Sequence, residues 1–336
     1  MTAVVLHKLA AIFVTVAIGW AAGRMRWLGA AGTVTDPARV LGHAAFYIFV
    51  PALLFRTTAR LDRAHMPWVT LAAFFVPVLA MLVVVYGFER WRRRGLRAES
   101  VEAGEREAAL PTSRTIAVVF GNTVQIGIPL AAGVFGEAGL GIHITLVSVH
   151  ALVLLSVLTA LVELDLARAR ARHDGTPRLV KTLASTVRNT VVHPVVLPVV
   201  VGLAWNFGGL ELPAIVDETL VLLGTAVSPL CLVLIGLSLA YTRVVGAWRA
   251  AVGIAVSKLL VQPVLVLAVA RLGFGLEGLP LAVVVMMATL PCGSNALIFA
   301  QRYAAHEAET TAAIVLSTFA FVATAPLWLA VLARFG

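Results

Sequence analysis

Two apolar stretches of membrane length each carry a polar, helix-breaking interruption near the middle, and few folds can hold such segments. The first interruption is Gly121-Asn122-Thr123-Val124-Gln125-Ile126-Gly127-Ile128-Pro129-Leu130, and the second is Thr289-Leu290-Pro291-Cys292-Gly293-Ser294-Asn295-Ala296. In hydrocarbon every freed backbone N–H and C=O needs a partner within the protein, so a broken helix survives only buried in protein or lining a cavity. One break in each half of a chain is the pattern of a binding site built at the bilayer midplane.

The rest of the sequence agrees with a membrane setting. Hydrophobic residues make up 60% of the 336 residues and charged residues 13%, against about 25% charged in soluble chains. Windows of about 20 apolar residues predict an all-α polytopic membrane protein with ten helices at 3–23, 38–55, 67–88, 113–135, 139–163, 187–206, 213–240, 247–271, 279–303 and 308–333. The first reads as a retained helix: only His7 and Lys8 precede its apolar stretch, and no small-residue cleavage site follows.

Most of the 26 Lys and Arg fall in loops on one face: Arg24, Arg26 and Arg39, the run from Arg90 to Arg114, the run from Arg168 to Arg188, then Arg243, Arg249 and Arg302. The positive-inside rule makes that face cytoplasmic and puts both termini outside. The net charge of +9 is thereby assigned to juxtamembrane anchoring on an anionic leaflet, and no nucleic-acid partner is expected. Cys231 and Cys292 lie in predicted spans without metal-site or disulfide-framework spacing, which predicts free thiols.

The chain reads as duplicated. Pro51 of the second span has a counterpart in Pro229 of the seventh, Pro77 of the third in Pro263 of the eighth, and Pro129 in Pro291. Each copy has five spans, an odd number, so the second enters from the opposite side and the two form inverted-topology repeats.

At Gly127-Ile128-Pro129 the proline lacks an N–H and clashes one turn back, so the helix is expected to unwind there and to restart at Pro129. The same reasoning places a half-helix after Pro291, loosened by Gly293, capped by Ser294 and running through Phe299 to Tyr303. Helix N-termini at the midplane hold an anion without a cationic side chain. Asn122, Thr123, Gln125, Ser294 and Asn295 add neutral donors and acceptors. Such a site suits carboxylates, and with Gly127, Pro129, Pro291 and Gly293 these residues form the candidate substrate site.

Two ionisable residues lie within spans. Lys258 is a candidate for coupling or charge compensation, because a buried ammonium is costly; the alternative is snorkelling to its helix end. His150 is a candidate proton carrier, and the alternative is a neutral helix contact. His43 and His193 lie nearer span ends. Glu163 and Asp165, at the cytoplasmic end of a span, are expected to be solvated. Either Na+ or H+ would serve as coupling ion, uniport is a further alternative, and no other cofactor or metal is called for. The sequence has no acidic pair of prenyltransferase type, no His-Glu zinc motif and no Gly-x-Ser-x-Gly elbow, so an enzyme is not expected. A membrane-embedded ligand sensor with the same fold is the alternative to a transporter.

Phe120-Gly121-Asn122-Thr123 with Gly127-Ile128-Pro129-Leu130, Pro291 to Asn295 leading into Phe299-Ala300-Gln301-Arg302-Tyr303, and Phe46-Tyr47-Ile48-Phe49-Val50-Pro51-Ala52-Leu53-Leu54-Phe55 together resemble the auxin efflux carrier family, including its bacterial members and the plant PIN carriers. The resemblance implies a fold related to the bile acid sodium symporters, with helices 4 and 9 crossing at their breaks. It implies scaffold helices at 1–62 and 187–245, which often form a homodimer contact, and a mobile transport domain from 63–165 and 246–336. Residues 166–186 would be a basic cytoplasmic linker, in place of the long loop of many plant members. Asn122 matches the asparagine that contacts a substrate carboxylate, Pro129 and Pro291 match residues near the crossing, and Asn295 is a bacterial-type feature. The implied activity is elevator-type transport of a small organic anion, a mono- or dicarboxylate or an auxin-like acid. The Ala-, Val- and Arg-rich composition and short loops point to a bacterial plasma membrane.

Overall fold

The computed structural model describes all residues except 1–2, 30–36, 61–66, 94–100, 174–193, 195, 242–246 and 335–336. His193, Lys181 and much of the expected linker therefore lie outside the described residues. The chain is helical throughout the described residues, as α1 (Ala3–Arg24), α2 (Pro37–Ala59), α3 (Trp68–Arg92), α4 (Val101–Val119), α5 (Ile128–His173), α6 (Val196–Phe207), α7 (Ala214–Tyr241), α8 (Trp248–Gly273), α9 (Gly278–Ala288), α10 (Asn295–Arg302) and α11 (Glu307–Leu332). Among these residues there is no β-strand, and the only extended pairing is an isolated antiparallel bridge between Gly121 and Cys292.

Six of these helices are long and apolar enough to cross a membrane: α2, α3, residues 130–170 of α5, α7, α8 and α11. The shorter helices α6 and α9 are also apolar. Large hydrophobic side chains such as Val84, Leu222, Leu272 and Phe319 point outward, which suits lipid. Trp68 and Trp91, 66% and 62% exposed, bracket α3 at a separation of about 35 Å. That matches a hydrocarbon core of about 30 Å with aromatic side chains at each interface.

Two boundaries differ from the sequence expectation. Residues 101–112, expected to belong to a charged loop, form the first three turns of α4. A hydropathy window registers only apolar content, whereas Ala, Glu and Arg are strong helix formers. Spans 4 and 5 are joined without a loop, because the turn between them is taken up by Gly136 alone, at φ 63° and ψ −162° inside α5. This backbone region is open essentially to glycine.

Packing divides the helices into two sets. α1 lies along α7, and α2 packs on α6 and α7. The α1–α7 crossing is close: a Cβ on Gly19 would fall 2.3 Å from the Val233 carbonyl oxygen, and one on Gly236 2.1 Å from that of Val16, the small-residue contact by which membrane helices approach. α3, α4 and α5 pack in series, and α8 packs on α11. Ion pairs tie this second set together at one end. Arg114 of α4 bridges Glu89 of α3 at 3.0 Å and Glu309 of α11 at 2.5 Å. Asp165 of α5 pairs with Arg90 and accepts from the Tyr86 hydroxyl at 2.7 Å. Asp165 is thus buried and Glu163 accepts from the Tyr303 hydroxyl at 3.1 Å. The expectation of solvated carboxylates fails because Tyr86 and Arg90 of α3 cover Asp165, and Tyr303, just past α10, reaches Glu163.

Candidate functional site

The two interruptions meet and satisfy each other. The Asn122 N–H donates to the Pro291 carbonyl at 2.8 Å, and the Gly293 N–H donates to the Phe120 carbonyl at 2.8 Å. A Cβ on Gly293 would stand 2.8 Å from the Gly121 carbonyl oxygen and 2.8 Å from the Phe120 ring, so only glycine fits. Neighbouring side chains take up other backbone groups freed by the breaks. Gln262 Nε2 donates to Val119 O at 3.3 Å, Lys258 Nζ to Ala288 O at 2.8 Å, and the Cys292 N–H to Ser317 Oγ at 3.1 Å. This is the internal satisfaction that hydrocarbon demands.

The first opening lies elsewhere than expected. The chain is non-helical at Phe120–Asn122, and helix resumes with a π-turn at Thr123–Gly127 that runs directly into α5, so there is no restart at Pro129. The π-turn explains the difference. Proline at position 129 removes the bond to the carbonyl four residues back, and a widened i→i+5 turn, here the Gly127 N–H to Asn122 O at 3.2 Å, accommodates it without unwinding. The same device precedes Pro51, where Ala45–Phe49 is a π-turn, and Pro263, where Ser257–Val261 is one. At the last of these, the carbonyl of Leu259, four residues before Pro263, receives Trp328 Nε1 at 2.9 Å.

At the second break the half-helix is α10, with Ser294 at its N-cap. Ser294 makes no capping bond; its hydroxyl meets Cys231 of α7 instead. Both cysteines are free and buried.

One wall of the paired breaks lines a cavity of about 390 Å3. Asn122, Thr123, Gly293, Ser294 and Asn295 lie on that wall, together with Phe120 and Gly121. Opposite stand Leu53 and Leu54 of α2 and Leu220, Val221 and Gly224 of α7. The cavity extends to Arg56, which is held by Asp217 at 2.9 Å. Gly127 and Pro291 do not line it. Gly127 is buried behind the break, where a Cβ would meet His143 Nε2 at 2.6 Å, and Pro291 contributes its carbonyl to the bridge. The side chains of Gln125 and Pro129 lie outside the described residues.

His150 lines the cavity, with its ring 4.5 Å from that of Phe120. Lys258 is 1% exposed and sits at the crossing, not at its helix end, so it does not snorkel. Sequence reading missed His143, whose Nε2 donates to Thr123 O at 2.9 Å and so braces the π-turn. It also missed Ser148, Arg56, Thr57 and Thr225 on the cavity wall. His143 and His150 are seven residues apart, two turns of one helix face, and that spacing was the available signal. Among the described residues no three His, Cys, Asp or Glu side chains gather as a metal site would require.

A bundle of membrane-length helices, broken twice and pierced by a cavity at the breaks, has the form of a carrier, and the chain matches the family described as Membrane transport protein over residues 4–329. It belongs to this family, that of the auxin efflux carriers. No curated protein matches the chain. The transporter is a multi-pass membrane protein, and its working partners are the lipid bilayer and a small-molecule substrate.

Proposed function

We propose that this protein is a secondary transporter of a small organic anion, working by elevator-type alternating access across a bacterial plasma membrane with both termini outside. The observation that carries the reading is the meeting of both breaks on one wall of a largely apolar cavity. Asn122, Thr123, Ser294, Asn295 and the N-terminus of α10 offer neutral donors there, which can hold a carboxylate while apolar residues of α2 and α7 cover its body. Ten spans in two inverted five-helix repeats, crossing at helices 4 and 9, are the architecture this reading assumes.

The packing supports a division of labour. Residues 1–62 and 187–245 (α1, α2, α6, α7) form the scaffold, through which a homodimer would assemble. Residues 63–165 and 246–336 form the moving body, made rigid by the Arg114 and Asp165 ion pairs, and 166–186 link the two halves. The cavity lies between the bodies and extends to the Arg56–Asp217 pair, on the outer side in this orientation. At the other end Arg302 of α10 stacks on Phe46 and Tyr47 of α2, 5.7 and 5.5 Å from their ring centres. A rigid-body shift of the second set would carry the breaks past α2 and α7 and expose them inside. His150, on the wall, is the residue placed to carry a proton.

The test is capacitive current from protein reconstituted in liposomes on a solid support, challenged with mono- and dicarboxylates. Asn122→Ala should keep the folded yield and weaken the response to substrate about tenfold, the worth of roughly one hydrogen bond to a charged group. Unchanged affinity and transport in that variant would remove Asn122 from the site.

A further inference from the structure

The cavity stops short along α2. Leu53, Leu54, Arg56 and Thr57 line it, whereas Val50 and Phe46, about one and two turns earlier on the same helix, are buried. The first half of α2 is packed against α10. Gln301 lies over Gly42, where a Cβ would collide with its Oε1. Arg302 spreads its guanidinium over Phe46 and Tyr47 of α2 and over its own neighbour Tyr303, whose ring centre is 5.6 Å away.

The two sides of this contact are held differently. On the α10 side the chain is pinned to α4 and α5. The Tyr303 hydroxyl donates to Glu163 at 3.1 Å, and Arg106 and Ser113 donate to the carbonyls of Ala304 and Ala305 at 2.9 and 2.6 Å. Ala304 and His306 stand at φ 49° and 57°, a region that residues with a Cβ enter only where their surroundings impose it. Arg302 is thus a rigid projection of the α3–α5 body.

Toward α2 the contact is softer. Among the described residues Arg302 makes no ion pair, and its Nε is buried without a hydrogen-bond partner. Arg39 of α2 does reach Glu307 of α11 at 4.0 Å, but that pair is exposed, and such pairs contribute little. A cation over a ring face is attracted without a fixed donor–acceptor geometry. It can therefore separate and re-form as two bodies slide, whereas parting a buried ion pair would strand a charge.

We propose that Arg302, seated on Phe46 and Tyr47 with Gln301 against Gly42, is the latch that closes the cavity at the end away from Arg56, and that it must open for the breaks to reach that side. The inference rests on the two-body reading given above.

The experiment labels Ser148→Cys, on the cavity wall, with a membrane-impermeant thiol reagent applied separately to each face of sealed vesicles. Rates are taken above those of the parent chain, whose two cysteines are buried. Whichever face labels this reporter faster in the otherwise wild-type chain, Arg302→Gln should raise labelling from the opposite face about fivefold, the equivalent of roughly 1 kcal/mol. Arg302→Lys should fall between the two. Tyr47→Leu, at an exposed ring, should give about a twofold rise and Tyr47→Phe none, and Tyr47→Leu should add nothing to Arg302→Gln. Additive effects would overturn the latch. So would opposite-face labelling that responds to added carboxylates but is the same in Arg302→Gln and Tyr47→Leu as in wild type, with the two-body reading left standing. Labelling confined to one face in every variant and with every carboxylate would overturn both.

Discussion

The crossing has two sides built from the same backbone, and they differ in the room they leave. On one side Asn122, Ser294, Asn295 and His150 border an open cavity. On the other, Lys258, Gln262, Ser317 and Trp328 press against the breaks and against α8, filling backbone valences one by one. A broken membrane helix presents more polar groups than it can satisfy. Those facing packed protein must be bonded in every state, and only those facing a cavity are free to meet a solute. Substitutions on the packed side should therefore act on stability, and those on the cavity side on binding.

The comparison breaks most severely at the bridge shared by both sides. Gly293→Val places methyl groups where the Gly121 carbonyl and the Phe120 ring already stand, and both bridge bonds are lost at about 1–3 kcal/mol for each exposed group. No monodisperse protein should elute in size-exclusion chromatography; wild-type recovery would show that the bridge tolerates a side chain. On the packed side alone, Trp328→Phe leaves Leu259 O bare, at a cost of about 1–3 kcal/mol. The unfolding midpoint should fall by several degrees while substrate affinity stays the same, and the reverse outcome would erase the distinction between the sides.

Asn295→Ala tests the cavity side. Affinity should drop about five- to tenfold, as for one hydrogen bond of roughly 1 kcal/mol, with the midpoint unmoved; equal affinity by titration would take Asn295 off the binding wall. The smallest effect is expected from His150→Gln, which keeps the volume and polarity of the ring but cannot change charge. Transport should proceed with a flatter pH profile. A profile identical to wild type would remove His150 from the proton path.

Much of the fold was legible because hydropathy is local: α1, α2, α3, α7, α8 and α11 begin and end within a few residues of the apolar windows. The start of α4 was hidden, since its first turns are charged and helical at once. The break at 120–122 was misplaced onto Gly127–Pro129, because a proline marks where a helix is weakened but not how the strain is relieved. Only one member of each matched proline pair, Pro51, Pro263 and Pro129, follows a π-turn, while Pro77 and Pro229 sit within ordinary helix. Asp165 was read as solvated for a related reason: its partners Tyr86 and Arg90 are remote in sequence.

By itself the sequence determined that this chain lives in a membrane, that it carries two polar breaks, and which residues, Asn122 and Asn295 among them, stand beside them. These follow from composition, from the length of apolar runs and from the backbone chemistry of proline and glycine, all of which act over a few residues. The tertiary structure alone decided which way each break faces. Hydrogen bonds made by Gln262, Lys258, Ser317 and Trp328, which lie on helices far along the chain, close one side of the crossing, and the cavity lies on the other.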